Sequence, residues 1–187
     1  GGLSLDTGSE LIGQGKQVSG NIVLNGGKIT TEQNTVLTDN LTQSADSILQ
    51  IDPSKTLTYS GAVVDIGTSI LNIQGGGSFI NSNSSALSLN NADSHLVLDN
   101  VSVGFVLGSA ASNSSKGLVV SVDSTLTTLS LTDKLRLSVD SGKTLTIAEP
   151  LTVSTQGMEL AGAGTLDLTD NLTLNGNVTL ASGGSLI

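Results

Sequence analysis

The hexapeptide Leu-Thr-Asp-Asn-Leu-Thr occurs at 37–42 and again at 168–173, and a looser copy, Leu-Thr-Asp-Lys-Leu-Arg, lies at 131–136. A longer pair aligns without a gap: LQIDPSKTLTY at Leu49–Tyr59 against LSVDSGKTLTI at Leu137–Ile147. Both follow one formula, in which alternating aliphatic residues lead to an Asp, two turn residues, Lys-Thr-Leu-Thr and an apolar residue. Such self-similarity marks a chain that stacks one small unit many times, since a unit too small to bury its own apolar face can bury it against the next copy.

The unit is a short strand. Apolar residues recur with period 2, as in Leu135/Leu137/Val139, Leu145/Ile147, Leu151/Val153, Met158/Leu160 and Leu166/Leu168. That alternation gives a strand with one buried face. The segments between are turn chemistry, including Asp140-Ser141-Gly142-Lys143, Asn25-Gly26 and Asn175-Gly176, residues that tolerate tight corners and positive φ. No window carries the i, i+3, i+4, i+7 apolar stripe of a helix.

Strands restart every 6 to 10 residues, so three strand-plus-turn units make a coil of about 20–22 residues. The two Lys-Thr-Leu-Thr copies fit four such coils and the two exact hexapeptides about six. The third hexapeptide lies too close to its Lys-Thr-Leu-Thr, which suggests an insertion of about six residues within 43–54, near Gln43–Ser47. An antiparallel β-sandwich is the competing architecture, but its core normally holds a Trp or several rings. Here aromatics are 2% of the chain, with no Trp, while 37% is hydrophobic and mostly aliphatic. Uniform aliphatics suit columns of like residues stacked at about 4.8 Å. The expected fold is all-β: one right-handed parallel β-helix over 1–187, three strands per coil, about nine coils and a rod roughly 40 Å long. Residues 1–20 are expected to be irregular or a cap.

Charge narrows the partners. Seven basic against 16 acidic residues give a net charge of −9, and charged residues are only 12% of the chain. A phosphate backbone would be repelled, so no nucleic-acid partner is expected. With no cysteine, disulfides, thiolate metal sites and a cysteine nucleophile are excluded. No apolar run is long enough for a membrane-spanning helix, and no membrane insertion by this segment is expected. The chain starts at Gly1-Gly2-Leu3 and stops at Ser185-Leu186-Ile187 within its own pattern; it is read as a segment of a longer protein.

Residue sets for catalysis are sparse. His95 is the only histidine; it shares parity with Val97 and Asp99 opposite Leu96 and Leu98, and is expected to face solvent. There is no G-x-S-x-G element to accompany a Ser-His-Asp set. Arg136 is the only arginine, and Asp39, Asp52, Asp133, Asp140 and Asp170 occupy turn slots. Asp167 with Asp170, or Asp52 with Asp140 were their coils neighbours, are the carboxylate pairs weighed for Ca²⁺. The reading is no catalytic residue, no cofactor and no metal site. Six Asn-x-Ser/Thr sequons (Asn40, Asn83, Asn100, Asn113, Asn171, Asn177) match what a Ser/Thr-rich chain yields by chance. Thr-x-Thr pairs at 56/58, 125/127 and 144/146 could order water only if aligned over successive coils.

Two polar segments break the rhythm, 75–85 (GGGSFINSNSS) and 108–117 (GSAASNSSKG). They are candidate protruding loops, because function often sits on loops held by a rigid scaffold. Phe79, Asn81, Asn83, Ser112, Asn113 and Lys116 are the candidate contact residues. Phe79 and Phe105, the only Phe residues, flank them.

Stretches such as Ser141-Gly142-Lys143-Thr144-Leu145-Thr146-Ile147 and 171–180 (NLTLNGNVTL) resemble bacterial secreted β-solenoids. The nearest kinds are autotransporter passengers and filamentous haemagglutinin-like exoproteins, which carry the right-handed pectin-lyase-like coil. The resemblance covers most of the chain from about Asn21 onward; Arg-Gly-Asp and the chlamydial-type GGA[ILV] and FxxN repeats are absent. It implies a non-enzymatic structural or adhesive region, extracellular or on the bacterial surface and anchored to the outer membrane through another part of the protein. The implied partner is a host or bacterial surface protein or glycan. Two other readings are a polysaccharide-processing or tailspike-type enzyme on the same fold, and a filament subunit that self-associates end to end or laterally.

Overall fold

The computed structural model describes residues 1–62, 64–82, 86–88, 93, 95–107, 117–131 and 134–187. They form an all-β parallel solenoid with three faces and no helix. The first face is built from β1 (Gly2–Asp6), β4 (Asn21–Asn25), β7 (Leu41–Ala45), β10 (Val64–Asp65), β13 (Ala86–Ser88), β20 (Leu151–Val153) and β23 (Leu172–Leu174). The second carries nine parallel strands in chain order. They are β2 (Glu10–Gln14), β5 (Lys28–Gln33), β8 (Ser47–Ile51), β11 (Ile70–Gln74), β14 (His95–Asp99), β16 (Gly117–Val120), β18 (Leu135–Val139), β21 (Met158–Leu160) and β24 (Val178–Leu180). The third holds β3 (Gln17–Val18), β6 (Thr35–Leu37), β9 (Thr56–Tyr59), β12 (Ser78–Asn81), β15 (Ser102–Leu107), β17 (Ser124–Leu131), β19 (Thr144–Ile147), β22 (Thr165–Leu168) and β25 (Ser185–Leu186). β15 and β17 are long enough to round the corner: their first halves pair on the third face, while Val106 and Leu107 of β15 pair with Ala86 and Leu87 of the first.

Period-2 alternation aims every second residue inward, and parallel pairing places it on its counterpart one rung away. One resulting column runs Leu11, Ile29, Leu49, Ile73, Leu98, Val120, Val139. A second runs Leu71, Leu96, Leu118, Leu137, Leu160, Leu180. From Ile29 to Val139 and from Leu71 to Leu160 these residues are at most 2% exposed. Each buried side chain contributes about 1.5–3 kcal/mol of apolar burial. The second column opens at the last rung, where Leu180 is 47% exposed; Leu174, on the first face, is 56% exposed.

Stacked residues are not evenly spaced along the chain. Partners on the second face lie as few as 18 residues apart (Leu11 and Ile29) and as many as 25 (Ile73 and Leu98), a wider range than the periodicity suggests. The three hexapeptides show how the coil absorbs this. Both exact copies leave a third-face strand and enter the first face, β6 to β7 and β22 to β23, six turns apart. The 131–136 copy instead joins β17, on the first face, to β18 on the second. It lies nearer its Lys-Thr-Leu-Thr because it sits one face further round, so the spacing needs no insertion near Gln43–Ser47. The first residues are also regular: β1, β2 and β3 occupy most of 2–18, where an irregular segment or cap was expected.

The longer repeat encodes one corner twice. Asp52-Pro53-Ser54-Lys55 and Asp140-Ser141-Gly142-Lys143 each close with a Lys N–H donating to the Asp carbonyl, at 3.0 and 2.9 Å. The third residue is left-handed in both, Ser54 at φ 64° and Gly142 at φ 72°. Gly162 serves a different need, since a Cβ there would lie 1.9 Å from the Val139 carbonyl oxygen of the rung below.

Three substitutions test this register by denaturant midpoint. Leu137→Ala should cost about 2–5 kcal/mol by leaving a cavity in the column, and Ser138→Ala, on the outer side of the same strand, no more than about 0.5 kcal/mol. Gly142→Ala, with open space around its Cβ, should lose about 1 kcal/mol from backbone conformation alone. Equal effects at Leu137 and Ser138 would contradict the alternation.

Candidate functional site

The third face turns a row of hydroxyls to the outside. Register pairs Thr56 with Ser78, Ser78 with Ser102, Ser102 with Thr125 and Thr125 with Thr146, all half-exposed. Inward neighbours in these strands, Leu57, Phe79, Val103, Leu126 and Ile147, form a buried column that fixes which way the hydroxyls point. Five rungs at the usual strand spacing make a row about 19 Å long. From β9 to β25 the strands of this face contain no Lys or Arg, and Asp167 is their one acidic residue.

Beside this row, where the second face bends into the third, lies a polar depression of about 210 Å³. Its walls are Gly76 and Gly77, Asn100, Asp123, and the row members Ser78, Ser102 and Thr125. The corner backbones that line it are tied rung to rung: Gly76 N–H donates to Asn100 O at 2.7 Å, and Ser102 N–H to Gly77 O at 3.0 Å. Asn100 is in the left-handed region, at φ 51°. One Asp123 carboxylate oxygen accepts the Thr144 N–H at 2.8 Å. Ser124 is buried and committed to the frame, donating to Val122 O at 2.9 Å. Among the described residues no hydrogen bond engages the hydroxyls of Ser78, Ser102 or Thr125. The depression thus combines hydroxyls that no described residue engages, an amide and a carboxylate. A larger, apolar opening of about 470 Å³ near Leu3, Val18 and Ile22 is the aliphatic column seen at the first rung.

The carboxylates are distributed to corners, where several hold backbone across rungs. Asp39 accepts Gly20 N–H at 2.7 Å and the Thr38 hydroxyl at 3.0 Å. Asp46 accepts Ile70 N–H and Asp65 accepts Gly67 N–H. Hydrogen bonding from Gly20 N–H first, then from Thr38, holds the Asp39 carboxyl below its ordinary pKa. At Glu10 the Lys28 ammonium, 2.7 Å away, and then the Thr30 hydroxyl do the same. Among the described residues no cluster of three or more His, Asp or Glu could hold a metal. Asp52 and Asp140 lie four rungs apart, because Leu49 and Val139 end their shared column at that separation. They do not form a pair.

His95 departs from its expected position. It does lie opposite Leu96 and Leu98, but it is only 5% exposed rather than facing solvent. Its rung partners are Ile70 and Gly117. Nδ1 lies 3.1 Å from Asp93 O. Phe79 is not a contact residue either. It has inward parity, stacks between Leu57 and Val103, and is 1% exposed. The segment from 75 begins as a tight glycine corner and continues as β12, ending in half-buried Asn81; over these residues it is part of the coil, not a protruding loop. Asn83, Ser112, Asn113 and Lys116, with nearly all of 108–117, lie outside the described residues, as does the side chain of Phe105.

Sequence reasoning missed the hydroxyl row. Its members are separated by 22, 24, 23 and 21 residues, so no fixed period reveals them. Two of the Thr-x-Thr pairs, 125/127 and 144/146, lie on adjacent rungs but staggered by two residues, Thr125 stacking on Thr146 and not on Thr144; the 56/58 pair lies three rungs from 125/127.

No family model, curated protein or solved structure matches this chain.

The corner at Asp39 gives a pH test. Its depressed pKa means the carboxylate–amide bond contributes stability above the ordinary Asp range, and that contribution is lost as pH falls through the lowered value. In an NMR titration the Gly20 amide should shift with a midpoint below the model-peptide value of about 3.9. The Asp39→Asn variant should abolish that step.

Proposed function

We propose that this chain is a rigid, non-catalytic solenoid segment of a bacterial surface or secreted protein, of the autotransporter-passenger or filamentous haemagglutinin-like kind. It acts as a stalk with adhesive faces and attaches to a host or neighbouring cell. The observation that carries this reading is the unbroken stack itself, nine strands on one face with neutral, hydroxyl-rich side chains turned outward beside them. Such an object has length, stiffness and a large ordered surface. Support also comes from the corner carboxylates: Asp39, Asp46, Asp65 and Asp123 are used to hold backbone N–H groups. General acid–base chemistry on a glycan needs convergent ionisable groups with matched pKa values.

Beads coated with the purified chain should adhere to host epithelial or bacterial cells, and soluble chain should compete. The protein should show no turnover on pectin, alginate or ester substrates. Beads that bind no better than albumin-coated controls would remove the adhesive reading. Turnover abolished by Asp123→Asn or His95→Ala would replace it with the enzyme.

A further inference from the structure

We propose that the corner depression beside the hydroxyl row is a binding site for a neutral linear glycan, one sugar unit seated in the depression and the chain running along the row. This rests on the adhesive reading and names the chemistry of its partner. The lining decides the ligand class. Ser78, Ser102 and Thr125 present hydroxyls that no described residue engages, and each can donate and accept. Asn100 adds an amide with both roles, and Asp123 a carboxylate whose Oδ1 accepts from Thr144. A polyhydroxylated ring offers the matching set of donors and acceptors.

Other ligand classes fit less well. An acidic glycan would meet Asp123 and the field of a chain with net charge −9. A divalent cation needs several oxygen ligands with more than one carboxylate, and Asp123 is the only carboxylate in the lining. An apolar ligand would desolvate hydroxyls without replacing their hydrogen bonds. A nucleic acid would find no Lys or Arg within the strands of this face from β9 onward, and the chain as a whole would repel its phosphates.

The frame is suited to the task because it is already in place. The row residues are held by the inward column Leu57, Phe79, Val103, Leu126, Ile147 and by rung-to-rung backbone bonds such as Thr125 N–H to Val101 O at 3.0 Å. Pre-organised polar groups lose little entropy on binding. The row repeats one type of contact at about 4.8 Å intervals, so a polymer can engage several rungs at once and gain avidity from weak single contacts.

The test is a two-dimensional NMR titration of the intact chain with maltohexaose, cellohexaose and chitohexaose as neutral probes and hexagalacturonate as the acidic one. At least one neutral hexasaccharide should shift the amides of Gly76, Gly77, Ser102 and Thr125, and hexagalacturonate should leave them unmoved. Ser102→Ala/Thr125→Val should weaken the response at least tenfold with an unchanged melting temperature, since both side chains point outward. Ser138→Ala, on the second face, should bind as the parent does. Silence with all three neutral probes, shifts mapping elsewhere, or full binding by the double variant would overturn the site. So would inhibition of ice recrystallisation without glycan binding, which would make the row a water-ordering face. Cell adhesion that persists while glycan binding fails would remove this site and leave the adhesive reading standing.

Discussion

The parallel backbone ladder between successive rungs is the constraint on which everything else in this molecule depends. Once Leu49 pairs with Ile73 and Ile73 with Leu98, every neighbour on those strands is committed to the same face as its counterpart. A one-residue slip would exchange inside and outside for a whole rung. The chain therefore tolerates turns of 18 to 25 residues between stacked partners, provided surplus residues are taken up in corners and parity is kept. Register shifts are visible where this is done, between Gly13 and Gln14, Leu24 and Asn25, and Val103 and Gly104.

Corners carry the second requirement, satisfaction of the backbone where the ladder stops. A corner N–H that found no acceptor would cost about 1–3 kcal/mol if buried. Short polar side chains supply acceptors across rungs: Asn34 Oδ1 takes the Thr56 N–H at 3.0 Å, Asp46 takes Ile70 and Asp123 takes Thr144 at 2.8 Å. Several acids of a chain with a net charge of −9 are thereby placed singly at corners, each holding a different backbone N–H.

The fold was legible because its two signals are local. Period-2 alternation specifies strands with one buried side, and the near-absence of rings specifies a narrow core; both can be read residue by residue. The Asp-x-x-Lys corner was legible for the same reason, since Asp52–Lys55 and Asp140–Lys143 are complete within four residues. What stayed hidden depends on neighbours a full turn away. His95 has outward parity yet is only 5% exposed, which the alternation along its own strand does not reveal. Phe79 looked like a loop residue because Gly75-Gly76-Gly77 precedes it, whereas those glycines are small so that the corner can press against Ile51 and Asp52. The depression combines residues from three rungs, Gly76, Asn100 and Asp123, whose sequence separations follow no fixed rule.

The same geometry explains why the outer surface is so weakly charged. In a parallel in-register stack, an outward residue meets its counterpart at about 4.8 Å. Like charges at that distance repel by about 1 kcal/mol per pair even in water, and the cost recurs at every rung. Two pairs of charges that do meet across rungs are opposite in sign, Glu10 with Lys28 at 2.7 Å and Arg136 with Glu159 at 3.5 Å. Elsewhere the columns use groups that can donate and accept along the stack, as when Gln74 donates to Gln50 at 2.8 Å and Ser44 to Asn25 at 3.0 Å. A long solenoid is thereby driven toward faces of hydroxyls and amides by the requirements of its own ladder. Such faces offer hydrogen-bonding groups at a regular pitch along the rod.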